Sequence, residues 1–456
     1  MITYRKQILF AIEMKTNFFL LFVLLFSPLT VLAGNIVFSD PHVKAVCVEN
    51  WDTSGDGELS EEEAAGVTGL STVFSFDNDV IKFPELQYFT GLSSIDTYAF
   101  RSCTNLQQVV LPASLTSIST SAFYGCSSLK EVTIPAQVKT IAEYAFSGCI
   151  GLTSLTLNEG LTTIGEYAFN SCWSLTELSI PASVTKINAS SFWNCPSLSS
   201  VTVDPANKNY DSRENCNAII ITSTNTLMLG CVKTVIPSSV TAIGPSAFYS
   251  NSKLQSIDIP EGVVSIGGSA FSGCTSLTNV SLPATLTTID RSAFRGCVKL
   301  KGVCLPNSLE SIGSEAFKNC GLKSIYIPES VTSIGTNAFA ECSQMLEVTV
   351  EYTTPPAISV FTFPYAKLST LYVPIGCVDA FKSADYWNEF KYIYEHLIPG
   401  DVNHDGSVNV LDVTLVIDYI LDKKPENFHY EEANVNGDEF INVLDVTKII
   451  DIILGK

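Results

Sequence analysis

The side chains with the clearest chemistry are oxygen-bearing residues that recur at fixed spacing in three twelve-residue segments. In the first segment, 52–63, oxygen donors stand at positions 1, 3, 5 and 12, and Gly57 stands at position 6, where such a loop must turn sharply. Position 7 would contribute its backbone carbonyl. The predicted ligands are Asp52, Ser54, Asp56, Glu58 and Glu63. This spacing is of the EF-hand type and predicts a site for an oxygen-preferring cation, Ca²⁺.

Two further segments, 401–412 and 434–445, repeat this spacing 33 residues apart. The predicted ligands of the second segment are Asp401, Asn403, Asp405, Ser407 and Asp412, with Gly406 at the turn. Those of the third segment are Asn434, Asn436, Asp438, Phe440 through its carbonyl, and Asp445. The third segment departs from the pattern because Asn434 replaces an Asp and Glu439 replaces the glycine. We therefore expect it to bind Ca²⁺ more weakly than the second.

Residues for acid–base catalysis are scarce. The four histidines are His42, His396, His404 and His429, and none of them lies in the central repeats described below. The largest part of the chain therefore lacks the usual general base. The motifs G-x-S-x-G and H-E-x-x-H, the Walker sequence and the dinucleotide-binding sequence are all missing. We predict that the protein is not an enzyme.

A 23-residue unit recurs from Leu92 to about Val350 and must build most of the fold. It reads L/V-x-x-I-x-x-x-A/S-F-x-x-C-x-x-L-x-x-V-x-I-P-x-x, and its ten copies are marked by Phe100, Phe123, Phe146, Phe169, Phe192, Phe248, Phe271, Phe294, Phe317 and Phe339. One unit cannot bury its apolar residues alone, so stacked neighbours must complete the core, which predicts a solenoid. The alternating stretch L-x-x-V-x-I indicates a strand that the proline ends.

An insertion separates Phe192 from Phe248, and it runs over about 204–233. Within it, 217–222 and 226–229 have the composition of strands, and 223–225 have that of a turn. This pattern predicts a β-hairpin.

Nine of the 14 cysteines occupy one repeat position, and Asn251 fills that position in the tenth copy. Parallel side chains on stacked turns fit disulfide geometry poorly, so we predict a buried column of free thiols. These cysteines are Cys103, Cys126, Cys149, Cys172, Cys195, Cys274, Cys297, Cys320 and Cys342. Cys216 and Cys231 flank the predicted hairpin and are the candidate disulfide pair, with two free thiols as the alternative.

On each predicted strand, the residues on either side of the Val point away from the core. Examples are Glu131 and Thr133, or Ser154 and Thr156, and together they form a hydroxyl-rich, mildly acidic surface. We call it the strand face. Two interpretations stay open, a ligand-binding face or a solvated face of residues that β-strands tolerate.

The repeat resembles the leucine-rich repeats of BspA-like bacterial surface proteins over roughly 40–396. The pairs Gly125-Cys126, Gly148-Cys149, Gly273-Cys274 and Gly296-Cys297 carry the resemblance, as does Ile-Pro-x-Ser-Val-Thr-x-Ile-Gly at 236–244. It implies a β-rich leucine-rich-repeat solenoid of ten repeats, of about 23 residues each, in a secreted or cell-surface binding protein, often an adhesin for a protein ligand. Calcium-loop segment 52–63 would belong to an EF-hand-like N-terminal cap.

The last segment, 399–456, resembles a type I dockerin. Each of its two loops runs on through Asn-Val-Leu-Asp-Val-Thr into an apolar helix, and Asp replaces Glu at position 12. The resemblance implies a small all-α calcium-binding domain that docks a cohesin. The implied contact residues are Val410, Leu411, Val443 and Leu444, identical in both copies. The alternative is that these four residues pack in the domain's own core.

The formal net charge of −20 argues against binding to nucleic acid through a basic patch. A basic start and an apolar run, Phe18 to Leu32, predict a signal peptide over 1–33 and a secreted or cell-surface location. We expect an N-terminal cap over 34–91, the solenoid over 92–350, a C-terminal cap over 351–398 and the dockerin-like domain over 399–456.

The expected function is that of a non-enzymatic, adhesin-like binding protein. Its solenoid would present a face to a protein or glycan, and its tail would dock or tether it. The alternative is a non-catalytic component of an extracellular polysaccharide-degrading assembly, recruited through dockerin–cohesin binding.

Overall fold

The repeat folds into stacked turns, each of which contributes a strand to a parallel sheet. The computed structural model describes residues 34–405, 407–438 and 440–455. The predicted signal peptide, 1–33, lies outside these residues, as do Gly406 and Glu439, on which two expectations about the calcium loops rest.

Nine of the ten predicted strands are confirmed, and the copy at 300–305 forms none. Several of them pair in register with the next copy, as in Glu131 with Ser154 and Ile134 with Leu157, so this side consists of short parallel ladders. Their Val and Ile side chains point inward, and the residues between them are mostly exposed. We call this the first sheet. Its strands are Lys82–Phe83, Gln108–Val109, Glu131–Ile134, Ser154–Leu157, Glu177–Ile180, Ser200–Val203, Ser256–Asp258, Asn279–Ser281, Ser324–Ile327, Glu347–Val350, Thr370–Val373 and Tyr392–Glu395.

Each turn also contributes a two-residue strand to a second parallel sheet, which the sequence analysis did not predict. These strands contain the repeat's first Ile and the residue before it, and Ile118, for example, pairs with Ile141. They are Ser94–Ile95, Ser117–Ile118, Thr140–Ile141, Thr163–Ile164, Lys186–Ile187, Ala242–Ile243, Ser265–Ile266, Thr288–Ile289, Ser311–Ile312 and Ser333–Ile334.

The phenylalanines stack face to face through the core between the sheets. Neighbouring ring centroids lie 4.9–5.6 Å apart, and their planes are within 11° of parallel. The column extends by one ring beyond each end of the predicted repeat, to Phe74 and to Phe363. Offset stacking and full burial make these rings a main source of packing energy.

The predicted hairpin in the insertion is confirmed. Ala218–Ile221 pairs antiparallel with Thr226–Gly230, and a further short strand, Tyr210–Asp211, pairs with the first of these. The hairpin joins the second sheet through the pairing of Leu227 with Ile243. Gly230 lies against the ring of Phe248, where an added Cβ would approach a ring carbon to 2.2 Å. The hairpin therefore fills the break in the phenylalanine column.

The two ends of the solenoid are closed by helices. At the N-terminus, α1 (Pro41–Trp51) and α2 (Glu61–Gly66) flank segment 52–63. The Asp40 carboxylate caps α1 by accepting hydrogen bonds from the backbone N–H groups of His42 and Val43. At the C-terminus, α3 (Val378–Ser383) and the buried Trp387 cover the last turns. Short 3₁₀ helices lie at Pro84–Tyr88, Arg213–Asn215, Ala366–Leu368 and Trp387–Glu389.

The tail contains three helices, α4 (Val410–Ile420), α5 (Tyr430–Ala433) and α6 (Val443–Ile453). Helices α4 and α6 begin identically, because Asn409 and Asn442 cap them and the aspartate three residues later completes a capping box. Their small shared core includes Val402, Val416, Ala433 and Ile449. No helix in the described ranges is both long enough and apolar enough to cross a bilayer.

Candidate functional site

Segment 52–63 is wrapped around its own carboxylates. Asp52 accepts hydrogen bonds from the N–H groups of Gly55 and Gly57 at 2.6 and 2.9 Å, and Gly57 has a φ of +82°. Glu63 turns back to accept from the N–H groups of Ser54 and Ser60. The N–H of Ser60, with the other donors, lowers the pKa of Glu63 to about 2. The carboxylates of Asp52 and Glu63 therefore converge on one loop.

Glu58 differs from its neighbours in this segment because its side chain pairs with Lys44, with Nζ and Oε1 2.6 Å apart. The Glu58 side chain is therefore engaged outside the loop, and the role of its backbone carbonyl as the position-7 ligand stays a prediction.

Segment 401–412 buries two carboxylates in one loop. Asp401 and Asp412 are both fully buried. Asp412 accepts from the N–H of Val402 at 2.8 Å with one oxygen and from that of Asn409 with the other. The N–H of Ser407 bonds to Asp405. Burying two carboxylates of one loop is costly without compensating donors or a positive charge, so the residues of this loop fit Ca²⁺.

Segment 434–445 copies this geometry with fewer charges. Asp445 is fully buried and accepts hydrogen bonds from the N–H groups of Asn436 and Asn442. The side-chain oxygen Oδ1 of Asn434 is buried and has no hydrogen-bond partner within the described ranges. An acceptor of this kind fits a cation, so this loop also has a donor set suitable for Ca²⁺.

The predicted column of thiols is confirmed: all nine cysteines are free and buried. Each S–H donates to the backbone carbonyl of the phenylalanine one turn earlier, as in Cys126 to Phe100 at 3.0 Å and Cys274 to Phe248 at 3.2 Å. Burial raises the pKa of Cys149 and of Cys274 to about 12. The thiols therefore act as structural donors and are poor nucleophiles.

The candidate disulfide between Cys216 and Cys231 is not formed, because both thiols are free. They belong to different halves of the core. Cys216 packs with the turns after the hairpin, and Cys231 packs with the turns before it. The Sγ of Cys231 instead donates to the carbonyl of Asn217.

The four apolar residues at the starts of α4 and α6 are exposed. Their exposed fractions are 69% for Val410, 61% for Leu411, 67% for Val443 and 62% for Leu444. The alternative that they pack in the tail's core does not agree with this exposure. They lie directly beside the buried Asp412 and Asp445, whose hydrogen bonds to segments 401–412 and 434–445 fix the position of the exposed pairs. We call these four residues the docking pairs.

A line of aromatic rings runs along the solenoid surface as far as Tyr249, exposed at Tyr98 and Tyr124 and half-buried at its other members, and sequence reasoning missed it. Ring centroids are 4.9 Å apart for Tyr144 and Tyr167, 5.4 Å for Tyr167 and Trp193, and 4.8 Å for Trp193 and Tyr249. We define the aromatic stripe as Tyr98, Tyr124, Tyr144, Tyr167, Trp193 and Tyr249. The signal was the aromatic residue two before, or directly after, the repeat's Phe.

Arg101 continues the stripe at its N-terminal end. Its guanidinium carbon lies 5.1 Å from the ring centroid of Tyr98, 5.8 Å from that of Tyr124 and 5.2 Å from that of the exposed Phe76. Exposed aromatic rings beside an Arg are the residue types in which binding energy concentrates.

The strand face is polar over most of its length, as predicted. Tyrosines appear only towards its C-terminal end, where Tyr372 pairs with Tyr394 on the next strand and Tyr326 lies one strand further away, with Thr349 between it and Tyr372. Burial raises the pKa of Tyr326 to about 12, with Glu351 adding to the effect.

Comparison with known families agrees with this architecture. The model of the BspA type leucine rich repeat region, in six copies, matches residues 74–219 and 229–379, which is more than half of the chain. The chain belongs to the BspA-type leucine-rich-repeat family. The model of the type I dockerin domain matches residues 399–454 of this BspA-type protein. Type I dockerins generally bind calcium and imply a cohesin-type partner, and both families are typically non-catalytic and extracellular or surface-associated.

Among solved structures, the pneumococcal vaccine antigen PcpA is 22% identical with a TM-score of 0.56, covering 67% of this chain and 85% of its own. It shows the fold alone. A leucine-rich cell surface protein from Faecalibacterium prausnitzii is 28% identical with a TM-score of 0.48, covering 59% of this chain and 82% of its own. A leucine-rich repeat protein from Bacteroides ovatus is 24% identical with a TM-score of 0.29, covering 67% and 88%. No curated protein matches the chain.

Proposed function

We propose that this BspA-type protein is an extracellular, non-catalytic binding protein whose tail docks onto a cohesin in a calcium-dependent way. The observation that carries the proposal is the pair of identical exposed dipeptides, Val410-Leu411 and Val443-Leu444, each next to a buried loop aspartate. Apolar residues this exposed at two equivalent helix starts are costly unless a partner covers them. The loop oxygens would hold Ca²⁺, and the ion would order the helix starts.

The docking pairs give a direct test by substitution. We expect Leu411→Asp alone, or Leu444→Asp alone, to keep cohesin binding, because the other copy still presents its pair. The double variant should lose more than about 100-fold in affinity, as expected when two central apolar contacts are removed. An acidic residue in the first turn of a helix does not destabilise it, so the tail should stay folded.

The matched control for this test is Leu368→Asp, since Leu368 is 69% exposed and lies outside the tail. Binding should be measured with the full chain against a panel of cohesin domains. If the double variant and the wild type bind the same cohesin equally, the docking pairs are not the contact surface.

The solenoid would present the aromatic stripe to a protein or glycan ligand. The stripe is the better candidate than the strand face because rings give large contact areas at low entropic cost. On this proposal the protein is adhesin-like. The second candidate function is that of a non-catalytic member of a polysaccharide-handling assembly, which the docking pairs favour. Capture of a cohesin-bearing carbohydrate enzyme would support this second function.

The two solenoid faces can be separated with paired variants. We expect Tyr144→Ser with Tyr167→Ser to weaken binding to a ligand found by screening matrix proteins and glycans, by at least about 10-fold. The control, Thr133→Ala with Thr156→Ala, changes only the strand face and should leave the affinity unchanged. The reverse result would move the ligand site to the strand face.

A further inference from the structure

A cluster of two histidines and a glutamate lies in the tail. Its donor atoms include imidazole nitrogens, whereas the predicted donors of the calcium loops are all oxygens. The ring nitrogens of His404 and His429 and the carboxylate of Glu432 lie within 4.8 Å of one another. The side chain of His404 is 14% exposed and that of Glu432 is 4% exposed. We propose that these three residues bind one Zn²⁺ ion through side chains that are not among the predicted Ca²⁺ ligands, although His404 lies within segment 401–412.

The backbone holds the three side chains in place. The N–H of His429 donates to the carbonyl of Val402 at 3.1 Å, and the N–H of Gly400 donates to that of Glu432 at 2.8 Å. These bonds bring the start of the second calcium loop against α5. The cluster is therefore part of the domain's scaffold rather than a chance meeting of surface side chains.

The ring nitrogen of His404 has no hydrogen-bond partner among the described residues. It is buried and lies 3.1 Å from Glu432 Oε1. The rings of His404 and His429 stack with centroids 3.4 Å apart. A buried nitrogen without a hydrogen-bond partner, beside a second imidazole and a carboxylate, is available to a metal ion.

The donor set selects the ion. Imidazole nitrogens suit Zn²⁺, whereas Ca²⁺ and Mg²⁺ prefer oxygen ligands. At Zn–N distances of about 2.0–2.1 Å, ligand atoms around one ion are roughly 3.3 Å apart, so small side-chain rotations bring this cluster into range. A cavity of about 150 Å³ reaches the cluster at His404 and is also lined by His396, Asp401 and Asp405.

The ion would join the two halves of the tail. His404 belongs to the second calcium loop, and His429 and Glu432 lie just before the third. A metal bound across them would stabilise the folded tail against unfolding, since metal affinity adds to the folding free energy.

The test is a Zn²⁺ titration of the full chain already saturated with Ca²⁺, followed by competition with a chromophoric chelator. His429→Gln and Glu432→Gln are the main variants, because both lie outside the calcium loops and His429 makes no side-chain cap bond to α5. We expect one ion for each wild-type chain at this site. Each variant should lose more than about 100-fold in Zn²⁺ affinity. Loss of a residue that only supports a ligand costs up to about 100-fold, so a larger loss indicates a direct ligand.

The matched control is His396→Gln, a histidine on the same cavity that is not part of the cluster. It should bind Zn²⁺ like the wild type. Any binding of Zn²⁺ by cysteine thiols would be the same in all of these proteins, because no substitution changes a cysteine. Thermal unfolding followed by circular dichroism should show Zn²⁺ raising the melting temperature of the wild type but not of His429→Gln. Absence of Zn²⁺ binding by the wild type, unchanged affinity in His429→Gln, or equal loss in His396→Gln would each overturn the proposal.

Discussion

At the scale of single residues, the carboxylates at the two ends of the chain differ in how their charge is held. Glu63 is stabilised by N–H donors of its own loop, which lower its pKa to about 2. Asp412 also accepts from N–H groups of its own loop, but both Asp401 and Asp412 are fully buried, so they have lost their solvation and depend more on a cation. We therefore expect the second loop to respond more strongly to calcium than the first.

The pKa of Glu63 predicts how stability depends on pH. A carboxylate whose folded pKa lies below its unfolded value of about 4.3 stabilises the fold above that value, and the contribution is lost as the pH falls towards 2. In calcium-free buffer, the free energy of unfolding of the wild type should fall more steeply than that of Glu63→Gln over this range. Denaturant melts at several pH values measure it, and parallel slopes for the two proteins would contradict the assignment.

At the scale of the element, the residue directly before each cysteine of the buried thiol column has a left-handed backbone conformation. Gly125 and Gly148 have φ values of +73° and +75°, and Glu341 takes the same conformation at +61°. Glycine is favoured there because it has no Cβ, whereas this conformation raises the free energy of the folded state for other residues. The Gly-Cys pairs of the sequence thus have a conformational cause.

Substitution at this turn should act in opposite directions at two copies. Gly148→Ala should destabilise by about 1–2 kcal/mol. The new Cβ would meet the Cα and N of Gly125 at ordinary distances of 3.5 and 3.6 Å, so the cost is that of the backbone conformation. Glu341→Gly should stabilise by about 0.5–1 kcal/mol, because the exposed pair with Lys318 is worth little. Urea melts give both values, and a stabilising Gly148→Ala would refute this explanation.

Much of the repeat architecture follows from the sequence because one strand and one thiol recur at constant spacing. The second sheet was missed because strands such as Ser117–Ile118 are two residues long and show no alternation. Phe74 and Phe363 were not predicted to join the phenylalanine column, because their spacings to the next ring differ from the repeat length. The residues of the aromatic stripe hold fixed positions beside the repeat's Phe, but they alternate between two such positions, and only the fold brings them into one line. The His404 cluster joins residues that only the fold brings together, so spacing alone could not reveal it.

At the scale of the whole molecule, the solenoid and the tail have different proposed roles. The stacked solenoid displays the aromatic stripe to a ligand, and the tail carries the proposed calcium loops and the docking pairs. The loops position Val410 and Val443 at the helix starts through the capping aspartates. If Ca²⁺ holds those aspartates, then removing it should disorganise the docking pairs while the stacked core of the solenoid stays folded.

The most direct test is a calorimetric titration of a cohesin domain into the full chain, with Ca²⁺ and after chelation. We predict binding in Ca²⁺, loss of measurable heat in chelator and recovery when Ca²⁺ is returned. Asp405→Ala should need more Ca²⁺ for the same binding, whereas the control Asp422→Asn, an exposed residue outside the loops, should behave like the wild type. Equal affinity with and without Ca²⁺ would contradict the account.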